Sequence, residues 1–155
     1  MLVVTFQIGE HRIAMDIRQI VQVIPCIPVR PVAFSATWQT GVIIFRGNVI
    51  PIVDLALVFG VESCPSRLST RIILVETDHL GRSMIVGLLA AQVSDVTSME
   101  ESHAKHFKEL PTDAGTQPSL GKVILDDVGI LNLAHVNQLL STAMRDQLSR
   151  FQEVA

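Results

Sequence analysis

Apolar and polar positions alternate with a period of two along most of the chain. Val4, Phe6 and Ile8 interleave with Thr5 and Gln7, and beyond Gly9-Glu10 a second alternating stretch carries Ile13, Met15 and Ile17. This predicts a β-hairpin with one buried face, Gly9 serving a position that needs positive φ. Asp16 and Gln19 then stand at capping-box spacing, and Ile17, Ile20, Val21 and Ile24 fall at i, i+3, i+4 and i+7. A short capped helix or helical turn is expected there. Pro25, Pro28 and Pro31 recur every three residues and predict an extended connector.

The next segment is the most regular. Gly41–Phe45 is an apolar strand, Arg46-Gly47-Asn48 has turn chemistry, and Val49–Val53 is a second strand in which Pro51 predicts an edge position or a bulge. Asp54 is placed to cap Leu55–Phe59, and Gly60 to end it. Strands are expected at Arg71–Glu76 and Met84–Leu89 about a turn at Asp78–Arg82, with weaker alternation through Val93, Val96 and Met99. Residues 100–119 read as a polar loop. A last hairpin spans Lys122–Leu125 and Ile130–Leu133, and a helix is signalled from Ala134 by Val136, Leu139, Leu140, Ala143 and Leu148. Nine or ten short strands with three helical pieces in one chain predict small β-barrels, not a parallel α/β sheet. The hairpin pattern of Val3–Ile24 returns in shape at Ile72–Val96, too weakly in identity to establish a duplication.

Composition narrows the function. The 155 residues carry 12 Lys+Arg against 15 Asp+Glu, a net charge of −3, with 48% hydrophobic and 17% charged residues. Without a basic stretch the electrostatic basis of nucleic-acid binding is missing, so no nucleic acid is expected. Charge lies below the ~25% usual for globular domains, which points to apolar surface covered by protein partners. The longest apolar run, Met84–Ala91, is short of the roughly 20 residues of a spanning helix, and Met1–Gly9 has no basic n-region. A cytoplasmic protein without direct membrane insertion is expected. Cys26 and Cys64 have no metal-type spacing and read as free buried thiols.

Candidate chemistries are few. Glu100, Glu101, His103 and His106 form the one carboxylate–histidine cluster; its Glu-x-x-His spacing has no second copy, and His103 and His106 by themselves fall short of the three or four ligands of a closed metal site, so a solvated loop and no metal are expected. There is no nucleophile elbow and no phosphate-binding glycine pattern, and His11, His79 and His135 have no recognisable partners, so no catalytic residue and no cofactor are expected. Arg46 stands apart. Directly after five apolar strand residues, it is placed at the rim of a small barrel, where its planar fork could meet a partner's carboxylate or serve as an ordinary turn charge.

Gly41 to Leu55 resembles the signature of the CheW family, the chemotaxis coupling proteins, which runs approximately G-V-x-N-L-R-G-x-V-(V/I)-P-(V/I)-(V/I)-D-L; Arg46, Gly47, Pro51 and Asp54 are all in register. The resemblance extends through Phe6–Gly9, Ile20–Ile24, Arg71–Glu76, Val93–Val96, Leu120-Gly121 and Ile130–Leu133. It implies a mainly β, CheW-like fold of two small five-stranded β-barrels sharing a core, with short helices and a C-terminal helix. It implies one domain over 1–140 with its second barrel at approximately 55–125; residues 141–155 lie outside the resemblance and are expected to form a C-terminal helical extension. It further implies a non-enzymatic scaffold that joins the cytoplasmic tip of a chemoreceptor to the regulatory domain of a CheA-type histidine kinase. Receptor or kinase contacts would then fall on Arg46, Gly41, Gly47, Ile20 and Gln22. The family's usual asparagine is Ile44 here, its common glutamate is Gln22, and its Val-Asp in the second barrel is Ala90-Ala91. The changes at Gln22 and Ile44 leave open a decoy that binds the kinase alone, or a non-flagellar pathway. The rival of another class is a small enzyme or ligand-binding barrel using residues 100–110.

Overall fold

The computed structural model describes residues 1–33, 36–64, 69–99, 105–108 and 117–151. Strands β1 (Leu2–Ile8) and β2 (His11–Asp16) form the expected hairpin, with Gly9 at φ +59°. Asp16 then caps a single 3-10 turn, Ile17–Gln19, its Oδ1 accepting from the Arg18 amide at 2.9 Å. The helix expected beyond it is strand β3 (Ile20–Pro25). Four β-branched residues fit either period, and pairing against β6 (Arg71–His79) decides in favour of the strand. The register slips between Ile20 and Gln22, so Val21 is the extra residue of a bulge.

Strands β4 (Gln39–Phe45) and β5 (Asn48–Asp54) follow, then α1 (Leu55–Val58) under the Asp54 cap. Pro51 is not on an edge strand: β5 lies between β4 and β7 (Arg82–Ala90). Its parallel register with β7 runs Ile52–Asp54, beginning just after the proline, so the missing N–H falls outside that ladder. Two-residue strand β8 (Thr97–Ser98), β9 (Lys105–Lys108), β10 (Lys122–Leu125) and β11 (Ile130–Leu133) complete the strands. β9 falls inside the segment expected to be loop; its four residues are too few to show a period, and pairing with β10 fixes them. The C-terminal helix is two helices, α2 (Val136–Leu139) and α3 (Thr142–Ser149), because Leu140 turns extended (φ −112°, ψ 110°) and Ser141 starts a new cap.

The strands form a five-stranded sheet, β3-β6-β7-β5-β4, and a second sheet, β8-β1-β2-β11-β10-β9, whose first five strands have matching topology. In each, an antiparallel hairpin (β6-β7 or β1-β2) lies with its second strand parallel to a strand (β5 or β11) that leads into a short helix. The halves of the chain exchange strands: β1-β2 joins β8, β10 and β11, and β6-β7 joins β3, β4 and β5. The five-stranded sheet therefore takes residues 20–90 and the other sheet both chain ends.

One core serves both sheets. Phe6, Ile13 and Met15 from one meet Ile73, Val75 and Val86 from the other, with Leu139, Leu140, Met144 and Leu148 of the helices closing over them. Helix α3 thus packs into the shared core through Met144 and Leu148. A separate cluster of Ile24, Ile43, Ile50, Ile52, Ile72 and Leu74 packs within the five-stranded sheet. No described helix is long and apolar enough to cross a membrane.

Candidate docking surface

Phe45 and Asn48 pair across a two-residue turn in which Arg46 (φ 51°) and Gly47 (φ 78°) are both left-handed. This matches the twist of the flanking strands, but an asparagine or glycine would occupy the first position more cheaply than arginine. Left-handed backbone at a non-glycine residue is a form of strain that clusters at functional positions. Above this turn the guanidinium lies 5.0 Å from the centroid of the Phe45 ring, which itself packs on the core of the five-stranded sheet. One Arg46 Nη donates to Gln22 Oε1 at 3.2 Å, joining the β4-β5 turn to β3 at the sheet's other edge.

Two residues close to this pair in sequence are exposed and apolar. Val21, raised by the bulge, is 45% exposed, and Ile44, where the resemblance led one to expect asparagine, is 60% exposed. A shallow groove continues from Val21 past Val49 and Ile85 to Glu76 and Ser83, where β5 and β7 run beyond their paired segment.

The other expected contact residues play different parts. Gly47 is exposed, with open space where a Cβ would stand. Ile20 is half-buried against the shared core. Gly41 is buried at φ +148°, and a Cβ on it would lie 2.0 Å from the carbonyl oxygen of Arg30. It lets the proline connector approach β4, where Arg30 and Val42 exchange two backbone hydrogen bonds of 2.9 Å. Asp54 is likewise structural: fully buried, it accepts from the amides of Ala56 and Cys64 and from Ser63 Oγ.

Burial, reinforced by the nearby Asp54 charge, pushes the Cys64 thiol up to about 11, while Cys26 is exposed on the connector and not buried as expected. Two histidines without sequence partners acquire them in the fold. His79 Nε2 meets Asp146 Oδ1 at 3.0 Å, and His135 Nδ1 caps α2 by accepting from the Asn137 amide at 3.1 Å. Burial holds His135 below the usual imidazole range. The partners of His79 and Arg46 stand 67 and 24 residues away, beyond the reach of local pattern. Sequence reasoning also passed over Leu80, which occupies a second left-handed turn at φ 51° and is 87% exposed. Most of the carboxylate–histidine cluster, residues 100–104, lies outside the described residues.

A profile of the CheW-like domain matches residues 2–144. The chain belongs to the CheW family. It is 27% identical over 123 residues to the "Probable chemotaxis protein CheW" of Rhizobium etli, covering 79% of this chain and 77% of that one. Against the "Chemotaxis protein CheW" of Thermotoga maritima it is 32% identical over 100 residues, 64% of this chain and 63% of that one. The crystal structure of the scaffolding protein TtCheW from Thermoanaerobacter tengcongensis shares the fold, with a TM-score of 0.71, 22% identity and coverage of 92% of this chain and 94% of that chain.

Proposed function

We propose that this CheW-like protein is a non-enzymatic adaptor that joins a chemoreceptor's cytoplasmic tip to the regulatory domain of a CheA-type histidine kinase. The exposed face of Arg46, Gln22, Val21 and Ile44 is one of its docking surfaces. Arg46 carries the reading: a strained turn displays a cation, stacked on an anchored ring and bonded to Gln22, in a stretch of chain whose neighbours Ile44 and Val21 are exposed apolar residues. Gly47 and Gly41 supply the backbone of this face, and Ile20 its half-buried border. Central Arg and apolar anchors are the usual energetic centre of a protein interface. The adaptor reaches the receptor array through its partners.

Titrating the purified protein against the receptor-tip fragment and the kinase regulatory domain, singly and together, tests the proposal. Binding to both, lost in Arg46→Glu while circular dichroism and melting stay unchanged, is the expected result. Binding to the kinase domain alone would establish the decoy, a reading favoured by the two family departures, Gln22 and Ile44, on this one face. If Arg46→Glu unfolds the protein, the arginine is a structural turn residue.

A further inference from the structure

We infer that the junction of β11 with α2 is a proton-sensitive contact between the two sheets: neutral His135 caps α2 and keeps Asn137 bridged to β6, and protonation of the ring breaks the cap and loosens that bridge.

In each sheet a parallel strand leads into a short capped helix, and the two caps differ in kind. Asp54 starts α1 with a fully buried carboxylate that accepts from the Ala56 amide at 3.0 Å. At the matching place before α2 stands His135, whose Nδ1 accepts from the Asn137 amide at 3.1 Å. An imidazole accepts only through an unprotonated nitrogen, so this bond assigns the neutral Nε2–H tautomer. The other polar ties of the junction do not titrate. The His135 amide donates to Gln138 Oε1 at 2.8 Å, and the Val136 amide to Gln19 Oε1 at 2.7 Å.

Asn137 also links α2 to the five-stranded sheet. Its Oδ1 accepts from Thr77 Oγ1 at 2.6 Å and its Nδ2 donates to Asp78 Oδ1 at 3.3 Å, both on β6. The half-buried His135 lines an open cleft with Arg18, Glu76, Thr77 and Asp78, so water reaches it. The charged groups that face it are Asp78 and Glu76 from β6, Asp16 from the end of β2, Arg18 from the 3-10 turn and Arg145 from α3. Burial disfavours the imidazolium, Asp78 favours it, Arg145 opposes it and Asp16 favours it, leaving the ring below the ordinary imidazole range.

A proton on Nδ1 sets two donors, the ring N–H and the Asn137 N–H, against each other across 3.1 Å. The imidazolium then turns toward Asp78, the carboxylate whose charge it feels most, and competes with Asn137 Nδ2 for that oxygen. One protonation thus removes the α2 cap and weakens the tie of α2 to β6.

The test is an NMR titration of the full chain from about pH 8 to about pH 5, following the ring nitrogens of His135 and the amides of Asn137, Leu140, Thr77 and Asp78. The Nε2–H tautomer is expected at the neutral end, and these amides are expected to shift with the ring's own midpoint, below ~6.5. Protection factors of the Asn137 and Leu140 amides should fall by roughly 5- to 10-fold across that midpoint, the equivalent of a lost N-cap. His135→Asp, which offers a charged acceptor throughout this range, should abolish the transition, whereas His79→Gln should leave it unchanged. An Nδ1–H tautomer would overturn the inference, as would Thr77 and Asp78 amides that ignore the ring's titration, or a transition that survives in His135→Asp. Should His135→Asp fail to fold, the wild-type tautomer and the coincidence of midpoints decide by themselves.

Discussion

Gly41→Ala separates a backbone role from a contact role at a position where family resemblance implies contact. A Cβ at Gly41 would stand 2.0 Å from the Arg30 carbonyl oxygen, 2.6 Å from its carbon and 2.9 Å from Val29 Cγ1. Two of the three are backbone atoms, so the clash cannot be relieved by rotating a side chain. The connector must retreat from β4, giving up the paired Arg30–Val42 hydrogen bonds. Two such bonds are worth about 1–3 kcal/mol together, and the φ of +148° adds about 1–3 kcal/mol of strain for any residue with a Cβ. The expected loss is therefore about 2–6 kcal/mol, read as a shift of the urea midpoint at constant m-value. Gly47→Ala is the control: it meets nothing within 4 Å and bears only the strain of φ +78°. A Gly41→Ala protein within about 0.5 kcal/mol of wild type that nevertheless fails to bind its partner would refute the backbone role and make Gly41 a contact.

Three further outcomes follow from the fold. The Asp126 carboxyl is drawn down to about 2, first by its hydrogen bonds from Arg12 and then by the Val128 and Gly129 amides. A depressed carboxyl stabilises above its unfolded value and loses that contribution as pH falls toward 2, so acid melting curves of wild type and Arg12→Ala should differ by about 1 kcal/mol near neutrality and converge near pH 2. His135 has its pKa lowered by burial, so its neutral state stabilises fully above the unfolded value of ~6.5 and the contribution declines as pH falls below it; His135→Asn, which can still cap α2, should flatten that part of the stability–pH profile. Because the halves exchange strands, fragments 1–60 and 61–155 should each be unstructured by NMR and recover native spectra on mixing; a folded isolated half would refute the exchange.

The β4-turn-β5 segment was legible because each of its signals is local: an apolar run, Arg46-Gly47, then the Asp54 cap and the Gly60 stop at φ +74°. The family and its mainly β fold followed from the same residues. What local pattern could not decide was pairing. Ile17, Ile20, Val21 and Ile24 satisfy a helical period, yet Ile24 lies opposite Ile72 in a sheet. Ser141 reads as an ordinary polar residue in a helix until its side chain is seen accepting from the Met144 amide at 3.3 Å. At the candidate site, Arg46 was visible as an odd residue for its turn. Its stacking on Phe45, its bond to Gln22 and the burial of Gly41 depend on contacts that only the closed fold supplies.

Strand β6 explains why this face can present a fixed geometry. Its residues alternate between the two cores, Ile72 and Leu74 toward the cluster within the five-stranded sheet, Ile73 and Val75 toward the shared core, and all four are fully buried. β6 comes from the second half of the chain, while β3, β4 and β5, which carry Gln22 and Arg46, come from the first. The proposed docking face is thus pinned to the six-stranded sheet and to α2 and α3 through a strand close-packed on both sides, and such packing resists gradual deformation. A surface held in this way spends little binding free energy on ordering itself. That suits the adaptor proposed above, whose contribution would be a fixed spacing between partners.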